Sequence, residues 1–165
     1  SKRGMSENSA LVKGVNRAWD AGLVVVVAAG NNGPRTMSIT TPGISRKVIT
    51  VGCSDDDREV LVGGNRMVDY SGRGPTAACI CKPDLVAPGC SVVSCSSRAD
   101  KYTIKSGTSM STPIVSGAVA LLLERFPDMS NKDVKLRLRE SSVDIGLPRN
   151  QQGWGLLDVG KMLER

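Results

Sequence analysis

The sequence predicts an α/β fold built as a three-layer sandwich, with helices on both faces of a mainly parallel sheet. Segments with helical periodicity alternate along the chain with short apolar runs, which is the pattern of this class. The run at residues 23–29 has no polar alternation, as expected of a strand that is buried on both faces in a parallel sheet. The chain has 165 residues, of which 40% are hydrophobic and 23% charged, and this is enough for one domain.

The first half of the chain predicts one helix followed by three short strands. Leu11, Val15 and Trp19 recur at helical spacing. Gly22 then supplies a stop signal. The predicted elements, in order, are a helix over residues 8–21, strands over 23–29 and 47–52, a polar segment over 55–65 and a strand within 82–89.

The second half predicts a pair of strands and three helices. Pro113 cannot donate a hydrogen bond to the carbonyl of Ser109, so a helix tolerates it only near its start. Ser109 is therefore expected at or near a helix N-terminus. Ser130 and Asp133 have the spacing of a capping box, which begins the next helix. The predicted elements are strands over residues 91–96 and 101–105, and helices over 109–126, 130–141 and 156–163.

The charge of the chain does not predict a nucleic-acid partner. The net charge is +6, but lysine and arginine are scattered along the sequence. The densest basic stretch, residues 132–139, has the helical spacing of a solvated helix face. No apolar run reaches the length of a membrane span, so no membrane contact is expected.

The five cysteines are an odd number, which argues against a closed disulfide framework. Reduced thiols favour a cytoplasmic protein over a secreted one. A metal site formed by Cys79, Cys81, Cys90 and Cys95 has a spacing that matches no common zinc pattern, and the chain has no histidine. No metal site is predicted.

The most informative segment is residues 106–113, which places Ser109 at the start of a helix. Unpaired backbone N–H groups and the positive end of the helix dipole lie at such a position. If the Ser109 hydroxyl attacks a carbonyl, the N–H of the same residue can donate to the oxyanion that forms. Gly107 leaves room for the attacking side chain and the substrate. From the pattern alone, the alternative is that Ser109 only caps the helix.

A second candidate segment is residues 30–33, which follow a predicted buried strand. Open α/β sheets usually place their sites at this end of a strand. The side-chain amide of Asn31 can donate to developing negative charge there. The alternative is a turn that uses asparagine for its tolerance of left-handed backbone geometry.

These two segments and the blocks between them are similar to a known protein family. Residues 107–113 resemble the nucleophile motif of the subtilases, and residues 25–34 resemble the segment that carries the oxyanion asparagine of that family. The similarity extends over about residues 10–161 and is closest to bacterial intracellular-type subtilases. The intervening blocks, which follow the order of the family, are residues 41–43, 48–52, 70–75 and 82–89.

The resemblance implies a serine endopeptidase that hydrolyses peptide or protein substrates through an acyl-enzyme. In this interpretation Ser109 is the nucleophile, and Asn31 shares the oxyanion hole with the backbone N–H of Ser109. The substrate-binding residues that the resemblance implies are Ala28, Ala29, Gly30, Ser106, Gly107 and Thr108.

The chain departs from the family chiefly in its catalytic residues, because the subtilase triad runs in the order Asp, His, Ser and this chain has no histidine. Residues 1–165 are therefore interpreted as the C-terminal portion of one catalytic domain, truncated at its N-terminal side and inactive without the missing half. Lys105 is a weak candidate for a substitute base, since a turn separates it from Ser109. The alternative function is a non-catalytic subtilase-like protein that binds peptides or a protease. Nucleotide binding is disfavoured, because neither a P-loop nor a dinucleotide-binding fingerprint is present.

Truncation predicts an exposed sheet edge and exposed apolar surface, and hence a homodimer or contact with an upstream segment. No cofactor is predicted for this chain itself. Calcium is common in the family and is expected, if anywhere, in the full-length parent. Asp55, Asp56 and Asp57 offer oxygen ligands for it, although adjacent acids in a loop are more often simply solvated.

Overall fold

A computed structural model describes residues 8–97 and 101–164, and it has the predicted α/β class with a parallel sheet. The helices are α1 (Ala10–Asp20), α2 (Thr108–Arg125), α3 (Asn131–Ser141), α4 (Arg149–Gln152) and α5 (Val159–Leu163). The strands are β1 (Val26–Ala28), β2 (Ile49–Cys53), β3 (Val60–Val62), β4 (Asn65–Met67), β5 (Leu85–Ala87), β6 (Val92–Cys95) and β7 (Tyr102–Lys105). The sequence did not predict β3, β4 or the short α4.

The parallel sheet has the strand order β1–β2–β5. Val27 of β1 pairs with Thr50, and Val51 of β2 pairs with Leu85. The central strand β2 is fully buried, whereas β1 is shorter than predicted and only half-buried. The expectation that residues 23–29 are buried on both faces is wrong for most of the run, because Leu23 is 58% exposed and residues 24–28 are only half-buried, whereas Ala29 is buried.

The main core lies between the sheet and α2, which packs on all three parallel strands. Side chains alternate along β2, so that Ile49 and Val51 both join this core. The side chains of α2 that face the sheet are buried, among them Val115 and Leu122. Helix α5 packs on α2, and α3 packs on α5, which closes this side of the molecule.

One face of α2 is apolar and yet exposed. Ile114 is 36% exposed and Leu121 is 48% exposed, and Gly117 lies between them on the same helix face. A helix that is apolar all round is normally buried. The exposed apolar surface that truncation predicts is therefore present.

In the described part of the chain, no helix has the length and apolar character that crossing a bilayer requires.

Two antiparallel hairpins stand beside the parallel sheet. The pairing of β6 with β7 confirms the predicted strand pair. Residues 55–65 were expected to be a polar excursion, but β3 and β4 form a hairpin within and just beyond this segment. Gly63 and Gly64, with φ of +58° and +91°, make the two-residue turn that hairpins of this kind require.

A buried ion network closes the amino end of the sheet. Lys82 is 1% exposed, and its Nζ donates to Val48 O (3.0 Å) and to Asp84 Oδ2 (2.5 Å). Asp84 Oδ2 also accepts from Thr50 N at 2.7 Å. The prediction of a fully solvated basic helix face is wrong for Lys135, which lies 3.6 Å from Asp84 and donates to three successive backbone carbonyls.

Candidate active site

The predicted nucleophile and oxyanion residues lie at the carboxyl end of the parallel sheet. Gly30 and Asn31 follow β1, and α2 begins at Thr108. Ser109 is therefore the second residue of α2, in agreement with the position deduced from Pro113. This end of an open sheet is where α/β proteins bind their ligands.

Gly107 sets the geometry at the N-terminus of α2. Its φ is +139°, in the region that favours glycine. Its N–H donates to Gly89 O at 2.9 Å, which ties the start of α2 to the loop after β5. A Cβ at position 107 would lie 3.3 Å from Asn31 Nδ2. The missing side chain thus lets Asn31 approach the helix start closely.

Thr108 fixes the orientation of the Asn31 side chain. The backbone N and the hydroxyl of Thr108 both donate to Asn31 Oδ1, each at 3.0 Å. The same hydroxyl accepts from Gly30 N at 3.2 Å. Because Oδ1 is held by two donors, Nδ2 is the free branch of the amide. No acceptor within residues 8–97 or 101–164 takes a hydrogen bond from Nδ2.

Ser109 is exposed in the first turn of α2. The N–H groups of a first turn have no intrahelical acceptor, and the positive end of the helix dipole lies there. Among the residues that the structure describes, no side chain hydrogen-bonds to the Ser109 hydroxyl, and Lys105 is exposed in β7. The site therefore presents a hydroxyl together with free donors, but no base.

The remaining predicted substrate-binding residues differ in how deeply they are buried. Ala29 is fully buried and packs with Val12 and other apolar side chains in a second core cluster, so its side chain faces the interior rather than a groove. Ala28 and Gly30 are half-buried. Gly30 has a φ of +93°, and a Cβ there would lie 2.3 Å from Thr40 Oγ1, so no larger residue fits this position.

Ser106 lies at the rim of a surface groove between the two hairpins. Its Oγ accepts from Ser91 N at 2.9 Å, which attaches the segment before α2 to the start of β6. Sequence reasoning missed this groove because it did not predict β3 and β4. The groove is lined by Glu59, Val60, Leu61, Arg66, Ser91, Ile104 and Ser106.

The expectation that Asp55, Asp56 and Asp57 are solvated is wrong for two of the three. Asp55 Oδ1 accepts from Gly89 N at 2.7 Å. Asp56 is 3% exposed, and its Oδ2 accepts from Ser71 N at 2.7 Å. Burial raises the pKa of the Asp56 carboxyl. Only Asp57 is exposed. Backbone hydrogen bonds explain the inward orientation of the first two acids.

A cluster of thiols beneath the start of α2 was also missed. Cys53 Sγ lies 3.1 Å from Asp55 Oδ1 and 3.2 Å from the Tyr70 hydroxyl, and Cys90 Sγ lies 3.1 Å from the same hydroxyl. Burial raises the pKa of both thiols. Cys53 ends β2 and Cys90 follows β5, so the pairing of these parallel strands is the signal that could have found the cluster. The other cysteines are exposed, namely Cys79, Cys81 and Cys95.

Comparison with known proteins identifies the family of this chain. A protein-family model for the subtilase family matches residues 1–155. The chain belongs to the subtilase family. It is 42% identical over 145 residues to the serine protease AprX of Bacillus subtilis (strain 168), a match that covers 80% of this chain and 33% of AprX. It is 35% identical over 158 residues to subtilisin DY of Bacillus licheniformis, covering 94% of this chain and 52% of that protein. This subtilase chain thus spans about a third to about half of the length of these relatives.

Solved protease structures share the fold of this subtilase chain. The self-cleaved protease domain of PatA matches with a TM-score of 0.72 and 24% identity, over 96% of this chain and 56% of that one. The prenylagaramide maturation protease PagA matches with a TM-score of 0.72 and 24% identity, over 93% and 54% of the two chains. At this level of identity the similarity establishes the fold alone, and it confirms the predicted subtilisin-like architecture.

Proposed function

We propose that this chain is the C-terminal portion of a subtilase catalytic domain and supplies the nucleophile and the oxyanion hole of a serine endopeptidase. The proposal rests on one observation above all. Thr108 holds Asn31 by Oδ1, which leaves Asn31 Nδ2 as a free donor beside the exposed Ser109 at the helix start. Preorganised donors of this kind stabilise the charge that develops during acyl transfer.

The chemistry assigned to the site is peptide hydrolysis in two steps. The Ser109 hydroxyl oxygen attacks the peptide carbonyl, and its proton passes to a base. The carbonyl oxygen becomes an oxyanion that accepts hydrogen bonds from Asn31 Nδ2 and from the backbone N of Ser109. Collapse of this intermediate breaks the C–N bond, and the protonated base gives its proton to the leaving amine, which leaves an ester on Ser109. Water, deprotonated by the same base, then hydrolyses the ester, and the proton returns to the Ser109 oxygen.

The base in this proposal comes from outside the 165 residues. The chain contains no histidine, and subtilases provide Asp and His before the serine in chain order. A serine hydroxyl without a base is a poor nucleophile. We therefore expect the isolated chain to be inactive and the Asp and His to belong to the N-terminal half of the domain.

Two surface features favour the N-terminal half as the partner that completes the domain. The edge of β1 has no neighbouring strand among the described residues, and an open parallel edge accepts another strand. The face of α2 that carries Ile114 and Leu121 is apolar and exposed. A homodimer through the same edge and a cytoplasmic location stay predictions.

Labelling with a fluorophosphonate, which reacts with activated serines, tests the proposal. The chain is mixed with the N-terminal part of the catalytic domain of AprX, the 42% identical relative. We expect labelling at Ser109 and hydrolysis of a chromogenic peptide in the mixture, and neither in the chain alone. Ser109→Ala in the same mixture is the matched control. A mixture that binds a peptide inhibitor but does not label at Ser109 would support the non-catalytic alternative instead.

A further inference from the structure

The thiol cluster beneath the nucleophile segment brings three metal-ligating atoms together. Cys53 Sγ, Cys90 Sγ and a carboxylate oxygen of Asp55 all lie within 4.8 Å of one another. In a tetrahedral zinc site, with Zn–S of about 2.3 Å and Zn–O of about 2.0 Å, neighbouring ligand atoms are roughly 3.5–3.8 Å apart. Side-chain shifts of about 1 Å or less would therefore bring these donors into coordination geometry.

The backbone around the cluster holds these donors in place. Cys53 is the last residue of β2, and its N–H donates to Ser71 Oγ at 2.9 Å. Asp55 Oδ1 is fixed by the N–H groups of Gly89 (2.7 Å) and Cys90 (3.1 Å). Cys53 is thus held by β2, and hydrogen bonds between the loops after β2 and β5 hold Asp55 and Cys90.

The surroundings of the cluster suit a bound cation. The Tyr70 hydroxyl lies between the two sulfurs, at 3.2 Å and 3.1 Å, where it can donate to a metal-bound thiolate as an outer-shell partner. Cys53 and Tyr70 are fully buried, whereas Asp55 and Cys90 are half-exposed. The cluster is therefore closed on one side and open to solvent on the other, which provides an entry path.

We propose that Cys53, Asp55 and Cys90 form a binding site for a thiophilic divalent cation of the zinc type, separate from the peptidase chemistry. Two thiolates and one carboxylate are ligands that zinc accepts, and solvent supplies the open position. Each ion that binds displaces the protons of the two thiols, which pass to water. The residual negative charge is offset by the two backbone donors at Asp55 and by the Tyr70 hydroxyl.

The position of this site connects it to the nucleophile segment. Gly89 N donates to Asp55 Oδ1, and Gly89 O accepts from Gly107 N. A cation at the site would therefore be linked through Gly89 to Gly107, the residue that precedes α2. The proposal itself does not depend on peptidase activity, since the site is complete within the described residues.

Cobalt(II) titration tests the site, because tetrahedral thiolate coordination gives a characteristic charge-transfer absorbance. The purified chain carrying Cys79→Ser, Cys81→Ser and Cys95→Ser retains only the two site thiols. We expect this variant to bind one Co²⁺ per chain with the charge-transfer band, and Zn²⁺ to abolish the band. The matched control, Cys53→Ser with Cys90→Ser, keeps the three exposed cysteines and is expected to lack the band. Asp55→Asn retains an acceptor for the two backbone donors, and we expect it to bind Co²⁺ at least tenfold more weakly.

A second measurement on the unsubstituted chain does not depend on the folding of any variant. Zn²⁺ is expected to slow alkylation of Cys90 at least tenfold, followed by mass spectrometry, while alkylation of Cys79, Cys81 and Cys95 is unchanged. Equal protection of all four cysteines would overturn the proposal. Absence of the cobalt band in the folded triple variant would overturn it too, as would a Cys53–Cys90 disulfide in the protein purified without reductant.

Discussion

The two ends of the parallel sheet differ in how their polar groups are used. At the amino end, Asp84 accepts from Lys82 and from Thr50 N, and Lys135 lies 3.6 Å from it. At the carboxyl end, Asn31 Nδ2 and the Ser109 hydroxyl have no partner among residues 8–97 and 101–164. Both ends are built by the same strands, so the sheet itself does not cause the difference.

The paired polar groups at the amino end of the sheet contribute to stability, whereas the unpaired groups at the carboxyl end are available for function. Buried polar groups are normally paired, because an unmade hydrogen bond costs about 1–3 kcal/mol. The amino end follows that rule, since Lys82, Asp84 and Lys135 all have partners there. The carboxyl end departs from it at an exposed helix start, where water satisfies free donors until a substrate replaces it. Substitutions can disrupt each end separately. We expect a loss of activity from those at the carboxyl end and a loss of stability from those at the amino end.

The largest expected effect comes from Ser109→Ala at the carboxyl end. In the domain completed with its N-terminal half, we expect kcat to fall by about 10⁶-fold, the scale of loss when the nucleophile of a subtilase is removed. Because Ser109 is exposed, the free energy of unfolding should change by less than about 0.5 kcal/mol. Peptide hydrolysis and urea unfolding check the two statements. A variant that retains more than a hundredth of the activity would contradict the assigned nucleophile.

Asn31→Asp separates the two roles of the Asn31 side chain. Aspartate keeps an oxygen for the two Thr108 donors but loses the Nδ2 donor and adds charge that opposes the oxyanion. We expect kcat to fall by about 10²–10³-fold with little change in KM. Asn32→Asp makes the same chemical change at the exposed neighbour and should leave kcat within about twofold. Equal decreases of kcat in the two variants would contradict the assignment of Asn31 to the oxyanion hole.

The sequence predicted the carboxyl end far better than the amino end. Ser109 and Pro113 are close together in the chain, so local rules located the helix start. Asn31 follows an apolar run whose ending is visible in the sequence. Lys135, by contrast, reaches Asp84 and the carbonyls of residues 46–48 only through the tertiary fold, and no local pattern encodes that encounter. A lysine within a basic helical stretch is typical of a solvated face, which is why Lys135 was misinterpreted.

The same limit explains why the surroundings of Ala29, Asp55 and Asp56 could not be predicted from the sequence. Ala29 lies in the oxyanion segment, but the alternation of side chains past β1 turns it into the core with Val12. Asp55 and Asp56 point inward because backbone N–H groups from distant segments, at Gly89 and Ser71, receive their carboxylates. The sequence could not predict the contacts of residues whose partners are far away in the chain.

Asp84→Asn disrupts the buried ion network at the amino end of the sheet. The change leaves the buried Lys82 ammonium without its counter-ion, and removal of one partner from a buried pair destabilises by about 3–5 kcal/mol. Asp20→Asn is the control, since the Asp20–Lys47 pair is at 2.6 Å but lies at the surface, where such a pair contributes less than about 1 kcal/mol. Urea unfolding measures both. Similar midpoints for the two variants would show that the buried network is not a main source of stability.

The smallest expected effect is a pH dependence that belongs to the amino end. Burial lowers the pKa of Lys82 from 10.5 to about 8, despite the opposing attraction of Asp84, and the pKa of Lys135 is lowered by burial as well. Two lysines share one carboxylate there, so loss of one proton relieves a buried positive charge. Between about pH 8 and 10.5 Lys82 holds more of its proton in the unfolded chain than in the folded chain, so its contribution to the free energy of unfolding rises with pH.

Thiols of the unfolded chain also begin to ionise between pH 8 and pH 9, whereas burial keeps Cys53 protonated in the folded chain, so only a comparison with a Lys82 variant isolates the lysine contribution. Between pH 8 and pH 9 we expect the Lys82 contribution to the unfolding free energy to increase by about 1 kcal/mol, since a full unit of differential titration corresponds to about 1.4 kcal/mol. Lys82→Met fills the same space without a titrating group and should remove most of the increase. Parallel pH profiles for the two proteins in urea unfolding would mean that the Lys82 ammonium stays charged throughout this range. The amino end would then be stabilised by its ion pair at every pH tested.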